Sequence, residues 1–195
     1  DQAKRVKDFM NYQIMNVMKE YDPELDQLLF YLPLAGSAFK KVYYDGQLGR
    51  AVSKFVSGED LVIDYFAADL ETASRVTHCI KMNGNELRKN QVSGFYRDVE
   101  VSSGSVDTSE VKEKVNELDG VEPSYAGDDD EHLILEMHCD LDIPGFEDEN
   151  GIKLPYIVTI DKDSEEVLSI RRNFDQIDSA RKKKQYFVHY KFLPG

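Results

Sequence analysis

Apolar residues open the chain at helical spacing: Val6, Phe9, Met10, Ile14, Val17, Met18 and Tyr21 fall on one stripe. Asp22-Pro23-Glu24 then reads as a second helix start, with Asp as N-cap, Pro in the first turn and an acid near the positive end of the helix dipole. Leu25, Leu28, Leu29 and Leu32 supply its buried face, and Pro33 and Gly36 kink or end it. Past residue 37 the period falls to two. Residues 38–44 and 51–56 flank Asp45-Gly46-Gln47-Leu48-Gly49-Arg50, a turn-rich link that predicts a hairpin with a longer loop. Leu61-Val62-Ile63 is a short apolar run, and Val76, His78, Ile80 and Met82 alternate along another strand. Asn83 with Glu86 resembles a capping box, opening a helix that Gly94 closes.

Residues 102–109 are rich in Ser and Gly and read as a loop. Val111, Val115 and Leu118 predict a modest amphipathic helix stopped by Gly120, and an acidic cluster at 128–131 precedes a strand over 132–141. Ile143-Pro144-Gly145 is a turn, and 147–151 is an exposed acidic loop tip. Residues 154–160 and 167–174 pair as a hairpin across 161–165, and a last strand covers 185–192. This makes about seven to nine short strands and three or four helices, an α+β layout with a helical pair ahead of a mainly antiparallel sheet. The expected organisation is one domain over 1–195: a helical segment at 1–36, and an α+β body at 37–195 with a variable insertion at about 102–131.

Charge changes the picture most. Acidic residues outnumber basic ones 37 to 24, and the net charge of −13 repels phosphate backbones and anionic lipid in the mean field. Nucleic-acid or membrane binding therefore requires a local basic patch. Basic residues gather at Arg171-Arg172 and at Arg181-Lys182-Lys183-Lys184, which suit DNA phosphates or acidic loops such as 128–131 on a neighbour. Two cysteines make no disulfide framework; in strand-like runs they read as buried thiols and favour a reducing compartment. No apolar run approaches a bilayer span, and no signal peptide opens the sequence. With no initiator Met and an end just after a strand, the chain is expected to be a piece of a longer polypeptide.

Each chemical motif has a plainer reading. His78-Cys79 and His138-Cys139, with His132, offer ligands suited to zinc, but neighbours on a strand point to opposite faces, so neither pair closes on one metal. Asp161-x-Asp163-x-Glu165 shares part of the EF-hand pattern, yet Glu166 stands where the loop needs Gly and Arg172 where it needs an acid. Gly36-Ser37 and Gly104-Ser105 make no nucleophile elbow, and no phosphate-binding glycine loop follows a strand. No catalytic, cofactor-binding or metal residue is assigned, no cofactor is expected, and the chain reads as not an enzyme. Two other classes compete: a metal-dependent hydrolase or nuclease using His78, His138 and nearby acids, and a small-ligand or peptide-binding module built on the Tyr- and Phe-rich strands.

Four stretches, in order, carry a resemblance. They are residues 32–45 (Leu32-Pro33-Leu34-Ala35-Gly36-Ser37 onward), residues 76–99 (Val76-Thr77-His78 through Asn85-Glu86-Leu87-Arg88-Lys89 to Gly94-Phe95-Tyr96-Arg97-Asp98-Val99), residues 154–173 (from Leu154-Pro155-Tyr156-Ile157), and residues 185–195 (from Gln185-Tyr186-Phe187-Val188-His189-Tyr190 to Pro194-Gly195). Together they resemble the portal, or head-to-tail connector, proteins of short-tailed phages of the lambdoid podovirus type; residues 102–131 match least. The resemblance implies a wing region lying before the stem and clip of a longer subunit. It also implies a dodecameric ring at one capsid vertex, in the virion and in host cytoplasm during assembly. The implied partners are other copies of the chain, the terminase motor, scaffold and coat, and tail proteins. DNA passes through the full ring with little direct binding here, and no membrane or ATP hydrolysis is involved. Separate acidic and basic loops suit side-to-side packing in such a ring, where each contact is heterologous and the rotation closes. Without stem and clip, this piece is expected to be monomeric or weakly associated.

Overall fold

In the computed structural model, residues 1–101 and 131–192 are described, and they form an α+β fold in two compact units. One comprises Asp1–Val76 with the stretch from Lys183; the other is Thr77–Lys182. The division falls inside a strand. The predicted loop and helix at 102–120 and the acids at 128–130 lie outside the described residues.

The first unit opens with α1 (Gln2–Tyr12), a π turn (Gln13–Val17) and α2 (Tyr21–Ala35). Met18 N donates to Gln13 O at 2.9 Å, the five-residue step that marks the π turn and shifts the register of the apolar stripe. Of that stripe only Met18 is buried. Asp22 is not the N-cap expected of it: Glu20 holds that position, and Asp22 and Glu24 lie in the first turn, where their charge still meets the positive end of the helix. Pro33 sits inside α2 without ending it; Gly36 does so, at φ +72° with its amide on Leu32 O at 2.8 Å. Leu28 is buried as predicted, whereas Leu29 faces solvent.

Strands β1 (Ser37–Asp45) and β2 (Arg50–Val56) form the predicted hairpin, from Phe39↔Val56 to Asp45↔Arg50. Asp45 Oδ1 accepts from the amides of Gln47 and Leu48 and fixes the turn. The other side of β1 pairs with β8 (Phe187–Lys191), so the end of the chain completes a sheet begun after α2. Phe39, Val56 and Phe187 from this sheet pack with Leu61 of β3 (Leu61–Ile63) and with Leu70, Ala73 and Val76.

In the second unit, β4 (Arg75–Asn83, crossing the boundary) leads into α3 (Gly84–Val92), whose N-terminus is capped by Asn83 Oδ1 accepting from Glu86 N at 2.8 Å. Strands β5 (Glu131–Leu141), β6 (Leu154–Asp161) and β7 (Val167–Arg172) follow as an antiparallel run, with a bulge in the β6–β7 ladder at Thr159/Ile160. One face of this sheet carries Met137, Leu154, Tyr156, Val158 and Phe174 in an apolar core. The opposite face meets Leu87 of α3 and Tyr96, packed with Ile134 and Leu168. Arg97 lends its amide to Leu168 O at 2.8 Å, so the segment after α3 covers the β7 edge.

Candidate functional site

The densest collection of chemically capable side chains lies on that second face. The two-residue period of β5 puts His132, Ile134, Glu136 and His138 together and buries all four. The β5–β6–β7 register sets Thr159 and Ser169 in the row of Glu136, and Ile157 and Arg171 in the row of His138. His138 Nε2 lies 2.8 Å from Glu136 Oε1, a hydrogen bond that an ionised carboxylate can only accept. Arg171 Nη2 stands 4.0 Å from Glu136 Oε2 while its guanidinium lies over the Phe95 ring, 4.2 Å from the centroid. Ser169 Oγ donates to Thr159 Oγ1 at 3.2 Å.

A second buried group closes the end of the same face. Asp161 accepts from Ser164 N at 2.9 Å and Ser164 Oγ at 2.7 Å through one oxygen, and its other oxygen lies 3.5 Å from His132 Nδ1. Asp163 and Glu165 are exposed, so the three acids of the EF-hand-like run do not converge; Asp161 instead holds a hairpin turn in which Glu165 takes φ 58°. The 147–149 tip is likewise a turn: Glu147 accepts from Gly145 N, and Asp148 from Asn150 N.

The His-Cys pairs divide as strand alternation requires. His138 points into the polar row; Cys139, like Cys79, is half-buried rather than buried, and His78 is half-buried too. Among the described residues no group of three His, Cys, Asp or Glu side chains is placed to hold a metal ion. A cleft of about 940 Å³ borders α3 and is lined largely by charged and amide groups, among them Arg88, Gln91, Asp98, Glu100 and Glu166. Small-molecule pockets are instead lined mainly by apolar side chains.

Four of the basic residues make individual contacts. Arg171 faces Glu136 and Phe95, Arg172 lies 5.8 Å from the Phe146 ring, and Arg181 lies 5.6 Å from Phe174. Lys183 donates to Ala73 O at 3.0 Å.

One further pair was not legible in the sequence. Ser37 Oγ and His189 Nε2 lie 2.6 Å apart across β1 and β8, and the imidazole stacks on Phe39 at 4.6 Å. A hydroxyl on an imidazole is the beginning of a nucleophile–base pair, but such a base needs a third group that stabilises its protonated form. Here burial, then the Lys191 ammonium, hold the His189 pKa below its usual value, so the ring is a poor proton acceptor. The β1–β8 register makes the pair and could not be read locally. That Glu136 and His138 share a face was available from their spacing alone.

No helix among the described residues is long and apolar enough to cross a membrane. No protein-family model matches the chain, and no curated protein matches it.

Proposed function

We propose that this chain is a structural segment of a phage portal ring, the wing of a head-to-tail connector in the virion, and that it carries no catalytic step of its own. The observation that carries the reading is where the reactive side chains end: Glu136 and His138 bond to each other inside the sheet, Asp161 holds the Ser164 turn, and His132 and Arg171 lie beside those two carboxylates. A buried row of polar side chains held by cross-strand neighbours stiffens a sheet, the work expected of a structural segment. The portal resemblance supplies the name. Its four stretches coincide with framework: the end of α2 with β1, then β4 through α3 to Val99, then β6–β7, then β8. In this reading the ring guides DNA, and the motor, scaffold, coat and tail proteins engage it from outside.

The test is electron microscopy of the complete polypeptide that contains this sequence. Closed rings of about twelve subunits joined through this region are the expected result. A full-length protein that stays monomeric would overturn the ring. Stoichiometric zinc or manganese in purified protein, with hydrolysis that depends on His138, would overturn its non-catalytic character.

A further inference from the structure

Helix α1 is the least explained element of the first unit. It buries no residue: Val6, Phe9 and Met10 are 56%, 59% and 51% exposed, although they lie on one side of the helix. The helical run continues through the π turn to Val17 and is anchored at Met18, but no residue from Gln2 to Tyr12 is buried, so packing against a partner would add to its stability. At about 100° per residue, Arg5 and Lys7 flank the apolar stripe on either side. Within a chain of net charge −13, this is an apolar helix face bordered by cations.

The same unit displays a surface of the opposite kind. Tyr65 and Phe66 are 91% and 90% exposed and meet edge to face at 5.3 Å. The loop that presents them is built rather than loose. Ala67, Leu70 and Ala73 pack into the core beneath it. Asp64 accepts from Ser74 Oγ at 2.9 Å, and Asp69 accepts from Thr72 N at 2.7 Å and Thr72 Oγ1 at 2.8 Å. Asp64, Asp69 and Glu71, all exposed, flank the two rings along the chain, with Lys191 the cation acting on Asp69. Two aromatic side chains amount to roughly 300–500 Å² of apolar surface, as much as the largest patch on a typical monomer, and preorganisation lowers the entropy cost of covering them.

We infer that α1 of one copy docks its Val6–Phe9–Met10 face on the Tyr65–Phe66 surface of a second copy, in a loop that also carries Asp64, Asp69 and Glu71, head to tail. Charge complementarity selects the occupant: a cation-flanked apolar helix meets an anion-flanked aromatic pair, whereas an anionic lipid surface would be repelled by the rest of the chain. The two patches are different, so the contact is heterologous and propagates into a ring or a filament. It rests on the portal reading only for the closure of that ring.

Sedimentation velocity on this chain over a concentration series tests the contact. Wild-type protein should self-associate, more weakly as salt rises. Phe9→Asp, and separately Tyr65→Ser with Phe66→Ser, should each weaken association at least tenfold; both sites are exposed, and far-UV circular dichroism verifies that the folds persist. Mixing the two variants should restore one contact, giving a 1:1 dimer and nothing larger, because each supplies the patch the other lacks. A wild-type chain monomeric up to about 1 mM, far weaker than stable interfaces, would overturn the inference. So would variants that associate as wild type does, a mixture that stays monomeric, or binding of α1 to anionic vesicles in preference to a second copy. Rings formed by the complete polypeptide regardless of these substitutions would remove this contact and leave the portal reading standing. Dimers in the mixture without rings in the complete polypeptide would do the reverse.

Discussion

The two units bury polar groups in different ways. In Thr77–Lys182 each buried carboxylate has a hydrogen bond and a group of opposite polarity nearby, Glu136 with His138 and Arg171, Asp161 with Ser164 and His132, although His132 Nδ1, the second Asp161 oxygen and Arg171 Nε make no hydrogen bond among the described residues. In the first unit β1 buries two lysines against aromatic faces. Lys40 Nζ lies 4.4 Å from the centre of the Tyr21 ring and, among the described residues, has no hydrogen-bond partner, while Lys41 Nζ stands 5.3 Å from the Tyr43 ring. Burial lowers the Lys40 pKa from the ordinary 10.5, and the carboxylates of Glu24 and Asp22 only partly oppose it. Pairing makes each partner depend on the other, whereas an aromatic face leaves the ammonium under-solvated. The same chemical operation, deleting a buried charge, should therefore have opposite consequences in the two units.

The largest effect is expected at Asp161. Asp161→Ala removes both hydrogen bonds of the Ser164 turn and the anion beside His132, and should cost about 3 kcal/mol in urea denaturation. Asp161→Asn, which keeps an acceptor, should cost about half as much. An Asp161→Ala variant as stable as wild type would show that the buried carboxylate is not coupled to its turn.

Glu136→Ala should come next, at about 2–3 kcal/mol, because it leaves the His138 ring N–H and the Arg171 guanidinium without their anion. In a double-mutant cycle with His138→Ala, the combined loss should fall short of the sum by about 1 kcal/mol or more. Simple additivity would mean that the pair is adjacent but not coupled.

Lys40→Met inverts the sign. Replacing an ammonium that lacks hydrogen bonds by an apolar chain of similar length should be neutral or stabilising by about 1 kcal/mol at pH 7. With the folded pKa depressed, the native state binds fewer protons than the unfolded chain. Wild-type stability should therefore rise as pH climbs through the folded value towards 10.5, and Lys40→Met should lack that increment. A loss above about 1 kcal/mol at pH 7 would show that the Tyr21 ring compensates the ammonium after all.

The division between what was readable and what was not follows sequence distance. Hairpins β1–β2 and β6–β7 and the Asn83 cap were readable because alternation, turn residues and capping pairs lie within a few positions of one another. The place of β8 beside β1 was not, since the partners are separated by most of the chain and every strand offers the same ladder of backbone groups. The α1 stripe misled in a different way. Periodicity reports that a face is apolar but not that this chain covers it, and Phe9 and Leu29 are exposed despite correct spacing. Within the polar site, the burial of Asp161 and the pairing of Arg171 with Glu136 depend on cross-strand register, which the 161–165 run read in isolation could not supply.

The smallest effect sits where the first unit does pair its polar groups. Ser37→Ala removes the 2.6 Å contact to His189 and should cost about 1 kcal/mol. The pH term adds a sign of its own. Burial, followed by Lys191, lowers the folded pKa of His189 beneath the unfolded 6.5, so the native state resists protonation. Its stability should be level above that value and decline as pH falls from 6.5 through the folded value, before most carboxylates titrate. His189→Gln should flatten this stretch of the urea-midpoint profile, while Glu136→Ala in the other unit should leave the His189 contribution in place. An unchanged slope in His189→Gln would mean that the imidazole is as well solvated in the fold as in the unfolded chain, and that the Ser37 contact holds the strand ends together without disfavouring the ring's charge.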